Sequence, residues 1–479
     1  MNSIFQLIAD LADQPVWLAG GAVRALLSGQ TPVDLDLATT GSGLALAKAI
    51  ADAGGGAFVA LDRERDTGRA VLPGGITIDC AALRAADIEG DLRLRDFTIN
   101  ALALPLAAVL AGDWSALIDP LGGRDDLAAG RLRLCAPTSL RDDPLRVVRA
   151  GRFRATHRLH PDPDLIAAAR AAAPLLVNVA VERIRDELLK TCDGPAAAAG
   201  LRLLDEVGAL TIIFPELEPA RACDQPRVHF LPVLAHMLET VAALDWLIDD
   251  GDPPVAVQTY PQLSRDLPFP DQYHEVLNQR RGIVRRAALL KLAALLHDNA
   301  KPQTKVSHPD GTVTFYGHQS LGAETVAQIG KRLRLSRADT SYLVSVVHEH
   351  MRPGQMRDSE QLSERGINRF FRDTGDTGPD ILLHELADHL ATRGPWLDPV
   401  AWQRHLAWLG AMLDRYWNPP APPAPPLIRG DELMAALQIG PGPEVGRLLK
   451  LIHEAQLAGD IHSAEEALAL ARTLRMAEH

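Results

Sequence analysis

The sequence predicts an α+β protein: a small mixed α/β head over residues 1–140, followed by a largely α-helical remainder. Three observations carry this prediction. Val33-Asp34-Leu35-Asp36-Leu37 and Gly74-Gly75-Ile76-Thr77-Ile78-Asp79-Cys80 alternate apolar and polar residues, which is the period of a strand. From about residue 141 the text turns helical, with Ala-rich runs and then Val181-Glu182-Arg183-Ile184-Arg185-Asp186-Glu187-Leu188. At 479 residues, 47% hydrophobic and 23% charged, the chain is globular and long enough for several domains.

In the first alternating run Val33, Leu35 and Leu37 are expected to face a core, leaving Asp34 and Asp36 together on the opposite face. Two carboxylates on one rigid strand suit a two-metal phosphoryl or nucleotidyl transfer site. The preceding Gly20-Gly21 allows close backbone approach, and Ala22 to Leu27 reads as a short helix whose N-terminus suits a phosphate. Taken alone, the pair reads equally well as a solvated D-x-D on an open sheet face. In the second run Ile76, Ile78 and Cys80 point one way and Thr77 and Asp79 the other, which makes Asp79 a candidate third carboxylate. Arg95-Asp96-Phe97-Thr98-Ile99-Asn100-Ala101-Leu102 mixes charge, amide and apolar residues. Arg95 and Asp96 suit a triphosphate and a ribose hydroxyl; the plainer reading is a surface ion pair at a helix start.

LAGGAVRALLSGQTPVDLDLAT, LRLRDFTINALAL, DPLGGRDDL and RDDPLRVVRAGRF occur in this order within the first 220 residues or so. Together they resemble the bacterial class II tRNA nucleotidyltransferase and poly(A) polymerase family, whose CCA-adding members extend tRNA 3′ ends with CMP and AMP without a template. The resemblance implies a polymerase-β-like nucleotidyltransferase head with Mg²⁺ held by Asp34 and Asp36 as the catalytic pair, joined by Asp79. It places Gly20, Gly21 and Arg24 along the triphosphate, and Arg95, Asp96 and Asn100 at the ribose and phosphates. Asp142-Asp143-Pro144-Leu145-Arg146 matches the element that reads the incoming base. C and A carry an exocyclic amine beside an acceptor nitrogen, whereas U and G carry a carbonyl there. A carboxylate (Asp143) with an arginine (Arg146) therefore accepts C and A and rejects U and G, since mismatched buried donors and acceptors are costly. Without that context the pair would read as a helical i, i+3 ion pair.

Three positions depart from the family pattern. Ala25 stands where an aspartate is usual after Val-Arg, Leu94 replaces the first arginine of Arg-Arg-Asp (with Arg93 adjacent), and Asp142 replaces a glutamate. None removes an expected metal ligand, so activity is expected.

The net charge of −12 argues against indiscriminate nucleic-acid binding. Locally the balance reverses: Arg131, Arg133, Arg141, Arg146, Arg149, Arg152 and Arg154 face only Asp142 and Asp143. This stretch suits a triphosphate or an RNA backbone, with Arg149 and Arg152 the two assigned to nucleotide. No apolar run approaches a membrane span, and the N-terminus lacks a signal-peptide pattern. Cys80, Cys135, Cys192 and Cys223 are far apart and read as reduced and buried, in a cytoplasmic protein.

The expected organisation is a head at 1–140, a helical neck at 141–220, a metal-binding domain at 221–416, a proline-rich linker at 417–427 and a C-terminal helical unit at 428–479. Residues 248 to 277, rich in Pro, Asp and Gln, read as an irregular insertion. In the middle, the apolar run Leu292 to Leu296 ends in His297-Asp298. His236 lies upstream and Asp388 downstream, and His318 and His350 follow in FYGH and HMRP. The order H…HD…D and the text HDNAKPQT resemble HD-superfamily metal phosphohydrolases, with Ala300 in place of glycine. The resemblance implies one or two divalent ions (Mg, Mn, Ni or another transition metal) on His236, His297, Asp298, His318, His350 and Asp388. Such a site would suit hydrolysis of 3′ or 2′,3′-cyclic phosphates at damaged tRNA ends.

The expected function is a template-independent tRNA nucleotidyltransferase using ATP and CTP, with tRNA as partner. Rival expectations are an A-adding, CC-adding or poly(A) specialist, an HD phosphohydrolase with an inactive RNA-binding head, and a plain RNA-binding protein.

Overall fold

In the computed structural model, residues 2–32, 34–357, 364–419, 425–458 and 460–476 are described. The alternating run read at 33–37 falls in strand β2, one of the inner strands of a six-stranded sheet. In chain order the N-terminal elements are α1 (Asn2–Leu11), β1 (Val16–Ala19), α2 (Gly21–Leu27), β2 (Asp34–Thr39), α3 (Gly43–Ala53), β3 (Ala57–Asp62), β4 (Thr67–Val71), β5 (Thr77–Ala82), α4 (Ile88–Arg93) and β6 (Ala103–Pro105). The sheet order is β3-β4-β5-β2-β1-β6. Only β2 and β5 run parallel, with Asp36 level with Asp79; the other pairs are antiparallel, so the sheet is mixed.

The strand period decides which face is which. Leu35, Leu37, Ile78 and Cys80 enter one core with Phe5, Ile8, Leu18 and Ile50, which α1 and α3 complete. On the opposite face Ala38 packs with Ala19, Ile88 and Leu92 under α4. That second cover reaches Ala38 but not Asp34 or Asp36, so the two aspartates line a cleft. Val33, expected to join the core, lies outside the described residues.

The helical part follows through α5 (Leu145–His157), α6 (Val181–Cys192), α7 (Ala197–Glu206), α8 (Val233–Ile248), α9 (Arg286–Leu296), α10 (His318–Arg332), α11 (Arg337–Glu349) and α12 (Gly378–Arg393). Helix α5 packs on α6 and α7; α7 packs on α8, and α8 on α9 and α12. Helix α9 is buried along its length, which its near-continuous apolar text requires. Its one lysine, Lys291, is fully buried but meets Asp245 and Asp249 at 2.7 Å each and the Gly194 carbonyl at 2.8 Å.

The expected irregular insertion at 248–277 contains two short helices, Val255–Thr259 and Pro270–Asn278. Proline at a helix start is compatible with helix, and Tyr273 and Leu277 recur at helical spacing and are buried. Cys80, Cys192 and Cys223 are buried free thiols, while Cys135 is only half-buried.

The chain divides into two compact units, Met1–Tyr416 and Trp417–His479. The second holds helices Gly430–Leu437, Pro443–Ala458 and Ala464–Met476 around Leu433, Leu448, Ile452 and Ala467. Of the proline-rich run, 420–424 lie outside the described residues. No helix among the described residues is long and apolar enough to cross a membrane.

Candidate active site

Asp34 and Asp36 project from β2 into a cleft of about 940 Å³ whose lining includes Gly20, Gly21, Asp79, Arg95, Asp96, Asn100, Asp143 and Arg146. Ten Arg or Lys side chains line it against five Asp, a balance that suits a polyanion. Asp34 accepts a hydrogen bond from the Thr77 hydroxyl. Burial pushes the Asp36 carboxyl above the ordinary carboxylate value; Arg95 and the Gly21 N–H work in the other direction. Neither aspartate forms a salt bridge within 4 Å among the described residues. Two adjacent carboxylates without a bonded cation fit a divalent ion.

Asp79 sits beside Asp36, but both of its oxygens are held by Arg69, at 2.6 and 2.8 Å. Arg69 lies opposite Asp79 in the neighbouring antiparallel strand β4. The placement of Asp79 agrees with its strand register, while its oxygens are turned to a guanidinium.

Gly20 has φ of 62°, and a Cβ there would stand 2.7 Å from Arg95 Nη1 and 3.4 Å from Asp36 Oδ2. Glycine therefore serves both the backbone turn and the close approach of Arg95 to the carboxylates.

Arg24, Arg149 and Arg152 gather around one ring. Their guanidinium carbons lie 5.1, 5.7 and 4.5 Å from the centroid of Phe153, a buried residue of α5. Phe153 is braced edge-on by Phe97 at 5.4 Å. Arg149 bonds Asp96 and Glu187, and Arg152 bonds Glu187 at 2.7 Å. Arg24 instead donates to the Asn100 side-chain oxygen. Burial, then repulsion from Arg152, lowers Arg24 to about 10, still a cation at neutral pH. Burial alone would raise Asp96, but Arg149 and hydrogen bonds from Asn100 and the Phe97 N–H bring it down to about 2.

Arg146 donates to the carbonyls of Leu94 (3.0 Å) and Ser139 (3.1 Å) and to the Ser139 hydroxyl (2.7 Å). Asp143 lines the cleft and pairs with Arg183 at 2.8 Å. Asp142 accepts from the Thr138 hydroxyl at 3.0 Å and is not part of the cleft lining. Of the other arginines in this stretch, Arg131 and Arg133 clamp the fully buried Asp126, at 3.0 and 2.8 Å, and so hold the fold. Ala25 lines the cleft, and Leu94 is half exposed. Phe153, Glu187 and Arg69 were not singled out by sequence reasoning. An aromatic or a buried glutamate in a helix has no distinguishing pattern, and only the fold brings them to the arginines.

A second site lies in the helical part. Asp298 Oδ2 lies 3.2 Å from His297 Nε2 and 3.6 Å from His236 Nε2, while its Oδ1 lies 3.3 Å from His318 and 3.7 Å from His350. Asp388 Oδ1 lies 2.9 Å from His236 and 3.6 Å from His297. All six residues expected here thus converge, from α8, the end of α9, the start of α10, the end of α11 and α12. Two groups, His236-His297-Asp298 and Asp298-His318-His350, are spaced to hold a metal ion, and they share Asp298. His236 Nε2, His297 Nε2 and both Asp298 oxygens are buried, and imidazole nitrogens converging on carboxylate oxygens are a donor set that suits a divalent ion. The His297 Nδ1 lies 2.9 Å from the Ala294 carbonyl, which leaves Nε2 for a ligand. Lys301, 2.5 Å from Asp298 Oδ2, and His384, packed 4.8 Å from His297, join the cluster unanticipated.

Family models described as "Poly A polymerase head domain", "Probable RNA and SrmB- binding site of polymerase A" and "HD domain" match residues 16–133, 158–221 and 271–391. The chain is 35% identical to an A-adding tRNA nucleotidyltransferase of Deinococcus radiodurans, over 94% of each chain. It is 34% identical to a CC-adding tRNA nucleotidyltransferase of Thermus thermophilus, over 94% of this chain and 91% of the relative. In fold it is similar to a Thermotoga maritima CCA-adding enzyme solved with tRNA, with a TM-score of 0.54, 23% identity and coverage of 98% and 94%.

Proposed function

The chain belongs to the tRNA nucleotidyltransferase family of CCA-adding enzymes and poly(A) polymerases, with a fused HD domain, and from that premise we propose that it adds CMP and/or AMP from CTP or ATP to tRNA 3′ ends without a template. The observation that carries this reading is the Asp34–Asp36 pair, with no salt bridge among the described residues, lining an arginine-rich cleft.

In the reaction the acceptor 3′-hydroxyl bonds to the α-phosphorus as the bond to pyrophosphate breaks. Asp34 and Asp36 would hold Mg²⁺, which when bound stabilises developing negative charge and makes the hydroxyl a better nucleophile. Arg24 and Arg95 face the triphosphate from the glycine side, while Arg149 and Arg152 face it from α5. Fixed cations in a partly buried cleft offset the charge that gathers on the leaving pyrophosphate. Asp79 keeps Arg69 in place beside the pair. Asp96, ionised, accepts two hydrogen bonds on each oxygen, from Asn100 and the Phe97 N–H and from Arg149, so its part is to fix the segment that carries Arg95 and Asn100 beside the nucleotide rather than to bind the ribose itself. Asp143 accepts the exocyclic amine common to C and A. Arg146 supplies the complementary donor and also pins the base-reading element to the segment at 94–96. Incorporation of labelled nucleotide by wild type, Asp34→Ala and Asp36→Ala tests the assignment.

The cluster around Asp298 favours a second reading beside the first. The HD domain would hold one or two divalent ions and act on 3′ or 2′,3′-cyclic phosphates at RNA ends. Support comes from the buried carboxylate oxygens and imidazole nitrogens that converge there at the spacing of metal ligands.

A further inference from the structure

Sheet register lays out the charge across the nucleotidyltransferase cleft. Arg69 of β4, Asp79 of β5 and Asp36 of β2 stand level in three neighbouring strands, and Ala19 of β1, level with Asp36, leads into Gly20. Cations flank the carboxylates at both ends of this row. Past Asp36, Arg95 closes on Gly20 and Arg24 on Gly21, and Arg24 shares the Phe153 ring with Arg149 and Arg152. In the other direction Arg69 stands two strand spacings from Asp36, roughly 10 Å. Arg65, in the turn before β4, lines the cleft on that side too. Its side chain is 78% exposed and its guanidinium meets only Asp62, at 3.7 Å, among the described residues. Arg69 is held differently. Asp79 takes its Nε–H and one Nη2–H, at 2.6 and 2.8 Å, which fixes the guanidinium plane. A guanidinium has five N–H donors, so three remain, and they meet no acceptor among the described residues. A guanidinium fixed along one edge and open along the other suits a phosphate.

In-line displacement places the attacking hydroxyl and the leaving pyrophosphate on opposite sides of the α-phosphorus. With the triphosphate among the cations on the glycine side, the hydroxyl arrives from the β4 side. The strand that carries this hydroxyl brings its last phosphodiester to the same side, and this is the one anion of the reaction that the glycine-side cations do not serve. We propose that Arg69, held in place by Asp79, binds the last phosphodiester of the incoming RNA strand, and that Arg65 attracts the same strand further out. This rests on reading the head as a nucleotidyl-transfer site. It adds to that reading which side of the cleft receives the acceptor and which arginine fixes it.

The test uses two tRNA acceptors ending before CCA, alike except at the last internucleotide linkage, which is a phosphodiester in one and an uncharged methylphosphonate in the other. Both carry a 2′-O-methyl group at that linkage to keep it intact. Full-length wild type and Arg69→Gln are compared by RNA affinity from fluorescence anisotropy, by CTP and ATP affinity from calorimetry, and by nucleotide incorporation. The expected result is that the methylphosphonate weakens wild-type binding by about tenfold and Arg69→Gln binding by less than about twofold, with CTP and ATP affinity alike in both proteins. Equal methylphosphonate losses in the two proteins, or an Arg69→Gln defect confined to CTP and ATP, overturn the proposal. Wild type that binds both acceptors equally overturns it without recourse to any variant. In each of these cases incorporation by wild type leaves the nucleotidyltransferase reading standing. Absence of incorporation by the folded wild type overturns both.

Discussion

Arg149 donates two hydrogen bonds to the Asp96 carboxylate, at 2.9 and 2.7 Å, and so fastens α5 to the segment that carries Arg95 and Asn100. Asp96 is buried and Arg149 half-buried, and a pair with a buried member is more costly to break than it is stabilising to form. Asp96→Asn is expected to lower stability by about 3 kcal/mol at neutral pH. In the folded state Asp96 ionises at about 2, below the ordinary 3.8. Its contribution is therefore complete above the unfolded value and is lost as pH falls from about 4 toward 2. Urea unfolding at pH 7 and pH 2.5 should show the deficit of Asp96→Asn shrinking by roughly 2 kcal/mol at the lower pH. A deficit that does not change with pH would contradict the ionised pairing.

Phe153 does not itself line the cleft, yet it is the surface on which the lining residues Arg24, Arg149 and Arg152 rest. Phe153→Leu removes the ring while keeping an apolar side chain. It should raise KM for nucleotide by about tenfold, from the loss of two or three cation–π contacts, with a smaller change in kcat. Phe153→Tyr should restore KM. Equal falls in kcat with KM unchanged would show that the ring does not position the arginines for binding.

Asp143→Ala and Arg146→Ala should differ. Asp143→Ala should relax discrimination against UTP and GTP while chemistry continues. Arg146→Ala should relax it too, but also slow transfer with every nucleotide, because the Leu94 and Ser139 contacts are lost. Single-nucleotide kinetics with all four triphosphates separates the two, and unchanged discrimination in both would remove the base-reading role.

The two candidate metal groups share Asp298, so Asp298→Ala should abolish divalent-ion binding at the HD site, whereas His350→Ala should spare the His236-His297-Asp298 group. Metal content after dialysis against Mn²⁺, measured by mass spectrometry, checks both. Full metal content in Asp298→Ala would exclude the cluster.

Much of this architecture is legible in the residues. The alternation at 33–37 and 76–80 specifies two strands with one polar face, and the structure places the strands Asp34–Thr39 and Thr77–Ala82 side by side in register. His297-Asp298 at the end of an apolar helix likewise marks the HD cluster. What the sequence hides is how side chains are already engaged. The period of β5 gives the face of Asp79 but not that Arg69, on an adjacent strand, occupies both its oxygens. The short spacing of Asp142 and Asp143 hides that one turns to Thr138 and the other to the cleft. Arginines 131 and 133 look like part of a phosphate-binding stretch until Asp126 is seen between them. Helices at 255–259 and 270–278 are masked by flanking prolines that permit a helix to start as readily as they stop one.

The most direct test of the central claim is incorporation of single labelled nucleotides, with Mg²⁺, into tRNAs ending before CCA, after C and after CC. The account predicts addition of C, of A, or of both in sequence, with little from UTP or GTP, and none by Asp36→Ala. Stepwise CC then A would mark a full CCA-adding enzyme, and addition of only C or only A a specialist. No addition to any acceptor by the folded wild-type chain, or addition that survives Asp36→Ala, would contradict it.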